Sequence, residues 1–269
     1  MMSIPLDVVH DPEDPRQALP FLQLAVDGHP YRALLDSGAA LTSIAAPPGT
    51  VTRPGGRTGR SAFGAPIRHR LWRAAIDVGG ARLGDFDVAD QPHADRFLLG
   101  QDVLSQFRCH YRLVEGELVL DGPEPEHALP IRLDPGRHVS LTASWTSGET
   151  ADVVFDTGAS VTVVDAGFAT RHPGLFAARG TDAGSDASGE TRQAELVEIA
   201  GPTILGHRFA PSLAVIVDLT GANADLPWPM DVILGWPLVS QVDWVIDHPR
   251  ARAAVLPRGV PREDGAPRR

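Results

Sequence analysis

A mainly β chain folded as two similar lobes is predicted by three observations on its 269 residues. First, one pattern occurs twice, as Leu34-Leu35-Asp36-Ser37-Gly38-Ala39-Ala40-Leu41-Thr42 and as Val154-Phe155-Asp156-Thr157-Gly158-Ala159-Ser160-Val161-Thr162. Second, the landmarks around that pattern recur in the same order in each half, which marks an internal duplication. Third, the apolar runs are short and broken by 27 glycines and 24 prolines, a texture of strands and turns rather than long helices. A lone aspartate followed by a hydroxyl residue and glycine arises by chance. Two copies in matching apolar context, one per half, do not.

The repeat extends well beyond the motif. Gly28 and Gly148 each lie eight residues before their aspartate. Downstream come Phe97-Leu98-Leu99-Gly100 and Val232-Ile233-Leu234-Gly235, two apolar runs closed by glycine. Ser105-Gln106 and Ser240-Gln241 follow at the same distance from those glycines. Each half then ends on an apolar strand, Leu118-Val119-Leu120 and Ala254-Val255-Leu256.

Taken in order, residues 21–26, a turn at Asp27-Gly28-His29-Pro30 and residues 31–35 read as a hairpin. Residues 75–78, Gly79-Gly80 and residues 81–88 read as a second one. Strands are predicted in the second lobe at 139–145, 151–155, 161–164, 194–199 and 212–217, with short helices at 102–107 and 237–241. The acidic, proline-rich stretch from Asp121 to His127 predicts a linker. The resulting organisation is an N-terminal extension over 1–18, lobe one over 19–122, a linker over 123–130, lobe two over 131–257 and a disordered tail over 258–269.

Composition excludes several functions. A net charge of −10 disfavours a nucleic-acid partner. All 24 basic residues are arginine, so Schiff-base and lysine-base chemistry are impossible. No run of 18 apolar residues exists, and no membrane span is expected. The N-terminus carries Asp7, Asp11, Glu13 and Asp14 and no apolar segment, which argues against a secretory signal. Cys109 is the single cysteine, so no internal disulfide forms, and a reducing, cytoplasmic location is expected. The ten histidines contain no His-Glu-x-x-His pattern, and no metal or other cofactor is expected. His69, His93, His110 and His207 read as surface or satisfied residues.

The aspartate motif and the later apolar-apolar-glycine motif, each present in both halves, resemble the two signatures of the aspartic peptidases, the pepsin and retropepsin superfamily. The resemblance covers roughly residues 19–257. It implies a bilobal, pepsin-like or retropepsin-like acid protease fold with an internal pseudo-twofold repeat. Asp36 and Asp156 are then the catalytic pair. Ser37 and Thr157 carry hydroxyls that lock the two aspartate loops together, and Gly38 and Gly158 let backbone approach the carboxylates. Candidate flaps lie at Ser61-Ala62-Phe63-Gly64-Ala65-Pro66 and at Ser185-Asp186-Ala187-Ser188-Gly189-Glu190, with Phe63, Gly64, Ser188 and Gly189 at their tips. Neither holds the tyrosine of a pepsin flap, and two flap-like loops look more like retropepsins.

The implied function is an aspartic endopeptidase acting on extended polypeptide through a water held between two aspartates. A pepsin-like fold recruited for acid–base chemistry on a small molecule, such as cyclisation or dehydration, is the alternative. A non-catalytic binding module comes third, because degenerate copies lose an aspartate and both remain here. Since one chain carries both aspartates, a monomer is the expected active unit.

Overall fold

The computed structural model describes residues 1–60, 66–91, 96–185 and 191–257. The first half contains β1 (Met2–Pro5), β2 (Asp7–His10), β3 (Ala18–Val26), β4 (His29–Leu35), β5 (Ser43–Ile44) and β6 (Arg53–Arg60). It continues with β7 (Pro66–Val78), β8 (Ala81–Asp90), β9 (Phe97–Leu99), helix α1 (Gln101–Leu104), β10 (Arg108–Arg112) and β11 (Glu117–Leu120). The second half opens with β12 (Leu129–Pro130), β13 (Arg132–Leu133), β14 (Val139–Ser144), β15 (Thr150–Phe155) and β16 (Thr162–Asp165). Helix α2 (Ala166–Arg171) and a 3₁₀ turn (Pro173–Leu175) lead to β17 (Phe176–Ser185), β18 (Thr191–Ile199), β19 (Thr203–Ile204), β20 (His207–Arg208) and β21 (Ser212–Val217). The chain closes with α3 (Thr220–Asn223), β22 (Val232–Leu234), α4 (Trp236–Val239), β23 (Asp243–Asp247) and β24 (Arg252–Leu256). The protein is mainly β.

Two of its three sheets repeat one topology. The first-half sheet runs β3-β4-β9-β5-β8-β7-β6, with β2 added beside β3 and a further β3–β7 pairing. The second-half sheet runs β14-β15-β22-β16-β21-β18-β17, with β13, β19 and β20 attached through β14. Strand directions agree as well: β4–β9 and β15–β22 are parallel, β5–β9 and β16–β22 antiparallel, and β5–β8 and β16–β21 parallel. Seven strands thus occupy equivalent places in each half. The parallel pair aligns Leu35 with Leu99 in one half and Phe155 with Leu234 in the other, so each aspartate leaves its strand at the same point.

The third sheet joins the halves in the order β1-β11-β10-β23-β24-β12. At its centre β10 and β23 are antiparallel, with Tyr111 opposite Trp244 and His110 opposite Val245. His110 and Val245 lie the same distance beyond Gly100 and Gly235. Equivalent residues facing each other across an antiparallel ladder is the local geometry of a twofold axis. Tyr111 and Trp244 then pack on Phe155, with ring centroids 5.1 and 5.0 Å away. All three are completely buried, so the joining sheet forms a floor directly beneath the strand that delivers Asp156.

Several details depart from the sequence reading. Within residues 1–18, read as an N-terminal extension, two strands were not expected: β1 pairs with β11 in the joining sheet, and β2 pairs with β3. The stretch read as a linker ends in β12, which pairs with β24. The helices predicted at 102–107 and 237–241 begin a residue earlier and last a single turn each. Helix α2 was unforeseen; Asp165 caps it by accepting the Phe168 N–H at 3.0 Å, and Phe168 is buried against Trp145. The tail from 258 to 269 lies outside the described residues. Among the described residues no helix is long and apolar enough to cross a membrane.

The glycine that closes each apolar run is required by crossing backbone. A β-carbon on Gly235 meets the Val161 carbonyl oxygen at 2.2 Å, and one on Gly100 meets the Leu41 carbonyl carbon at 2.6 Å. We therefore expect Gly235→Ala to cost about 3 kcal/mol or more, since rigid backbone must move. Gly174→Ala, where a β-carbon has no neighbour within 4 Å, should leave the melting temperature nearly unchanged. Comparable melts for the two variants would contradict this account of the crossing.

Candidate active site

The two aspartate loops are built identically. Where β4 ends, the Asp36 N–H donates to the Leu99 carbonyl at 3.1 Å; where β15 ends, the Asp156 N–H donates to the Leu234 carbonyl at 3.2 Å. Each loop then bonds forward: Gln101 N–H to Ala39 carbonyl at 2.8 Å, and Trp236 N–H to Ala159 carbonyl at 2.9 Å. The apolar-apolar-glycine strands therefore grip the loops from both sides. Thr42 and Thr162, six residues beyond each aspartate, accept the Gly100 and Gly235 N–H groups on their hydroxyls at 3.0 and 3.3 Å.

Across the two halves the hydroxyl residues exchange hydrogen bonds. Ser37 Oγ donates to the Phe155 carbonyl at 3.1 Å and accepts the Thr157 N–H at 2.9 Å. Thr157 Oγ1 donates to the Leu35 carbonyl at 2.6 Å and accepts the Ser37 N–H at 3.1 Å. Both side chains are buried, so these four bonds are shielded from water. They fix the position of each loop relative to the other.

The glycines set how close the carboxylates come. A β-carbon on Gly38 falls 2.3 Å from Asp156 Oδ2, and one on Gly158 falls 2.5 Å from Asp36 Cγ. Each carboxylate thus lies over the glycine of the opposite loop, where any side chain is excluded. Each also accepts the N–H of its own loop's glycine, Gly38 to Asp36 at 3.0 Å and Gly158 to Asp156 at 2.8 Å. The two carboxylates therefore face each other across the paired loops, close enough for each to act on the other's ionisation. Burial, and then the neighbouring Asp156 charge, push Asp36 up to about 8, and burial also raises Asp156. Two carboxylates in one recess cannot both ionise cheaply, so the pair holds one proton across neutral pH and titrates as a unit. Such a pair combines an acid and a base.

All six predicted dyad-loop residues, Asp36, Ser37, Gly38, Asp156, Thr157 and Gly158, come together. Phe63, Gly64, Ser188 and Gly189 lie outside the described residues. Three contributors were not foreseen. Gln101 donates from its side chain to the Ser37 carbonyl at 2.8 Å. Asp102 accepts the N–H and hydroxyl of Thr42 at 2.9 and 2.8 Å, and burial pushes it up to about 6. The second half has Pro237 in that place, so a comparison of the repeats marks the difference without giving its role. The third is an Asp134–His138 pair beside the dyad, in a turn with no counterpart motif. Among the described residues no group of three or more His, Cys, Asp or Glu side chains is placed to hold a metal ion. Comparison with known protein families and with curated proteins gives no match.

The hydroxyl exchange is not symmetric, because the Thr157 bond to Leu35 is the shortest and a β-branched side chain is stiffer at χ1. Removing either hydroxyl strands a buried carbonyl, at about 1–3 kcal/mol. We expect Thr157→Ala to lower the melting temperature more than Ser37→Ala, at roughly 2–4 °C per kcal/mol. An equal loss, or a greater one at Ser37, would show that the grip is not biased to the second half.

The dyad also sets a pH dependence of stability. Between the ordinary carboxylate value of 3.8 and about 8 the folded pair keeps a proton that the unfolded chain has released. This contribution is therefore complete at low pH and lost as pH rises through about 8. His248 acts on the other side: burial pushes it from 6.5 down to about 4, so its contribution is complete above 6.5 and lost as pH falls towards 4. Asp36→Asn should gain melting temperature relative to wild type as pH rises from about 6 to about 9. A difference that does not vary with pH would contradict the raised carboxyl.

Proposed function

We propose that the protein is an aspartic endopeptidase with a bilobal, pepsin-like fold, its lobes spanning 19–122 and 131–257 and meeting at the Asp36–Asp156 dyad. The observation that carries this reading is the reciprocal placement of each carboxylate over the other loop's glycine, locked by the Ser37–Thr157 exchange. A dyad with one shared proton suits hydrolysis of an amide. A water between the carboxyls gives its proton to the ionised aspartate as its oxygen attacks the scissile carbonyl. The protonated aspartate donates to the carbonyl oxygen, and the resulting tetrahedral species collapses as the amine leaves with a proton. The chain's part is positioning and proton transfer, with no covalent enzyme intermediate. Acid and base roles belong to the pair rather than to either residue.

One long hairpin in each half, β6–β7 and β17–β18, supports an extended polypeptide as substrate. A cytoplasmic monomer with no cofactor completes the proposal.

Digestion of a peptide library over a pH series tests it. Wild type should cleave with a bell-shaped pH profile, and Asp36→Asn and Asp156→Asn should each lose on the order of 10²–10⁴-fold in turnover while remaining folded. Activity per chain should not fall on dilution, and mixing the two variants should restore none. Near-wild-type turnover in either variant would eliminate a two-carboxylate mechanism, and rescue on mixing would place the site between chains. A folded wild type that cleaves no peptide would turn the assignment towards acid–base chemistry on a small molecule.

A further inference from the structure

The turn between β13 and β14 carries a titratable pair beside the dyad. Asp134 organises this turn with both carboxylate oxygens: Oδ1 accepts the His138 N–H at 2.9 Å, and Oδ2 lies 2.7 Å from His138 Nδ1. The Asp134 carbonyl accepts the Arg137 N–H at 2.9 Å, and Arg137 adopts a left-handed backbone with φ 68°. The His138 ring then covers Gly136, where a β-carbon would meet ring atoms Cε1 and Nδ1 at 2.7 and 2.9 Å. That same β-carbon would lie 3.3 Å from Cβ of Ala40, four residues after Asp36, so the turn abuts the first aspartate loop. His138 Nε2 is buried and has no hydrogen-bond partner among the described residues.

The repeat makes the placement informative. In the first half the matching approach is made by Gln17, whose Oε1 accepts from Ser160 Oγ at 3.5 Å, four residues after Asp156. One side of the dyad is therefore approached by a neutral amide and the other by an imidazole. The charged groups facing His138 are Asp134 from its own turn and Asp36 and Asp156 from the two dyad loops. Burial lowers the imidazole, the Asp134 bond and charge outweigh it, and the two dyad carboxylates add to the rise. In return, the His138 charge lowers both Asp36 and Asp156.

We propose that His138, clamped by Asp134, is a positioning residue whose positive charge favours the dyad state with one carboxyl ionised and one protonated. The inference rests on reading Asp36 and Asp156 as a catalytic dyad. Its consequence is directional. A cation beside the pair eases loss of the first proton, so the base is present at higher acidity than in an isolated pair. Above the point where His138 loses its proton, that help ends.

The test needs no substrate. Aspartate labelled with ¹³C at Cγ, with the dyad signals assigned through Asp36→Asn and Asp156→Asn, reports the ionisation of the pair directly. In His138→Gln the lower ionisation should move up by about half a pH unit or more. His138→Lys, which keeps a charge, should move it back towards wild type, and the acid limb of kcat/KM should follow. Should His138→Gln not fold, Asp134→Asn releases the clamp on the ring and should shift the pair in the same direction. An unmoved ionisation in the folded variant overturns the proposal, as does an equal shift in His138→Lys, because packing alone then explains the site. The expected shifts in a protein that cleaves no peptide would sustain this role for His138 and overturn the peptidase reading instead.

Discussion

Two carboxylates with a natural repulsion are held against each other, and the Ser37–Thr157 exchange is what makes that stable. Each hydroxyl both donates to a carbonyl and accepts an N–H from the opposite loop, so neither loop can shift without breaking buried bonds. A typical hydrogen bond contributes about 0.5–1.5 kcal/mol net, but leaving its partner buried and unpaired costs more. That asymmetry makes the arrangement resistant to local loosening. The joining sheet adds a second restraint from below, because Tyr111 and Trp244 come from different halves and close on the same Phe155 ring. Together these contacts convert a repulsive pair into a proton-sharing one.

Duplication within one chain has let the halves diverge around a fixed centre. The hydroxyls, the glycines and the threonines at the sixth position beyond each aspartate stay matched, since all of them touch the opposite loop or the crossing strand. Differences accumulate one layer out. Asp102 faces Thr42 where the second half has Pro237, and Gln101 stands where the second half has Trp236. Among the described residues, helix α2 and the β19–β20 hairpin occur in the second half alone. Two identical subunits could not make these changes separately. A single chain can place a histidine on one flank of the dyad and a glutamine on the other, and so bias an otherwise symmetric proton.

The centre was legible in the sequence because its constraints are absolute. Gly38 and Gly158 admit no β-carbon, and Gly100 and Gly235 are crossed by backbone, so the duplicated motif could not drift. Strands with alternating apolar residues were legible for the usual reason that one face is buried. Some of the strands that escaped notice lack that pattern, although β10, with Cys109 and Tyr111 buried, does not. β1 and β2 lie in what reads as an acidic N-terminal extension, yet backbone pairing with β11 and β3 holds them. β6 is rich in arginine and glycine and is held by its ladder to β7. The Asp134–His138 pair was invisible for a different reason: it depends on a turn meeting Ala40 from the other half, and no local spacing encodes that meeting.

The central claim is that Asp36 and Asp156 share one proton, and a potentiometric difference titration tests it most directly. Wild type is compared with the folded double variant Asp36→Asn/Asp156→Asn, and the curves are subtracted to isolate the pair. The account predicts two separated steps, with one carboxyl retaining its proton until about pH 8. Two protons released together near pH 4, as from independent surface aspartates, would contradict it.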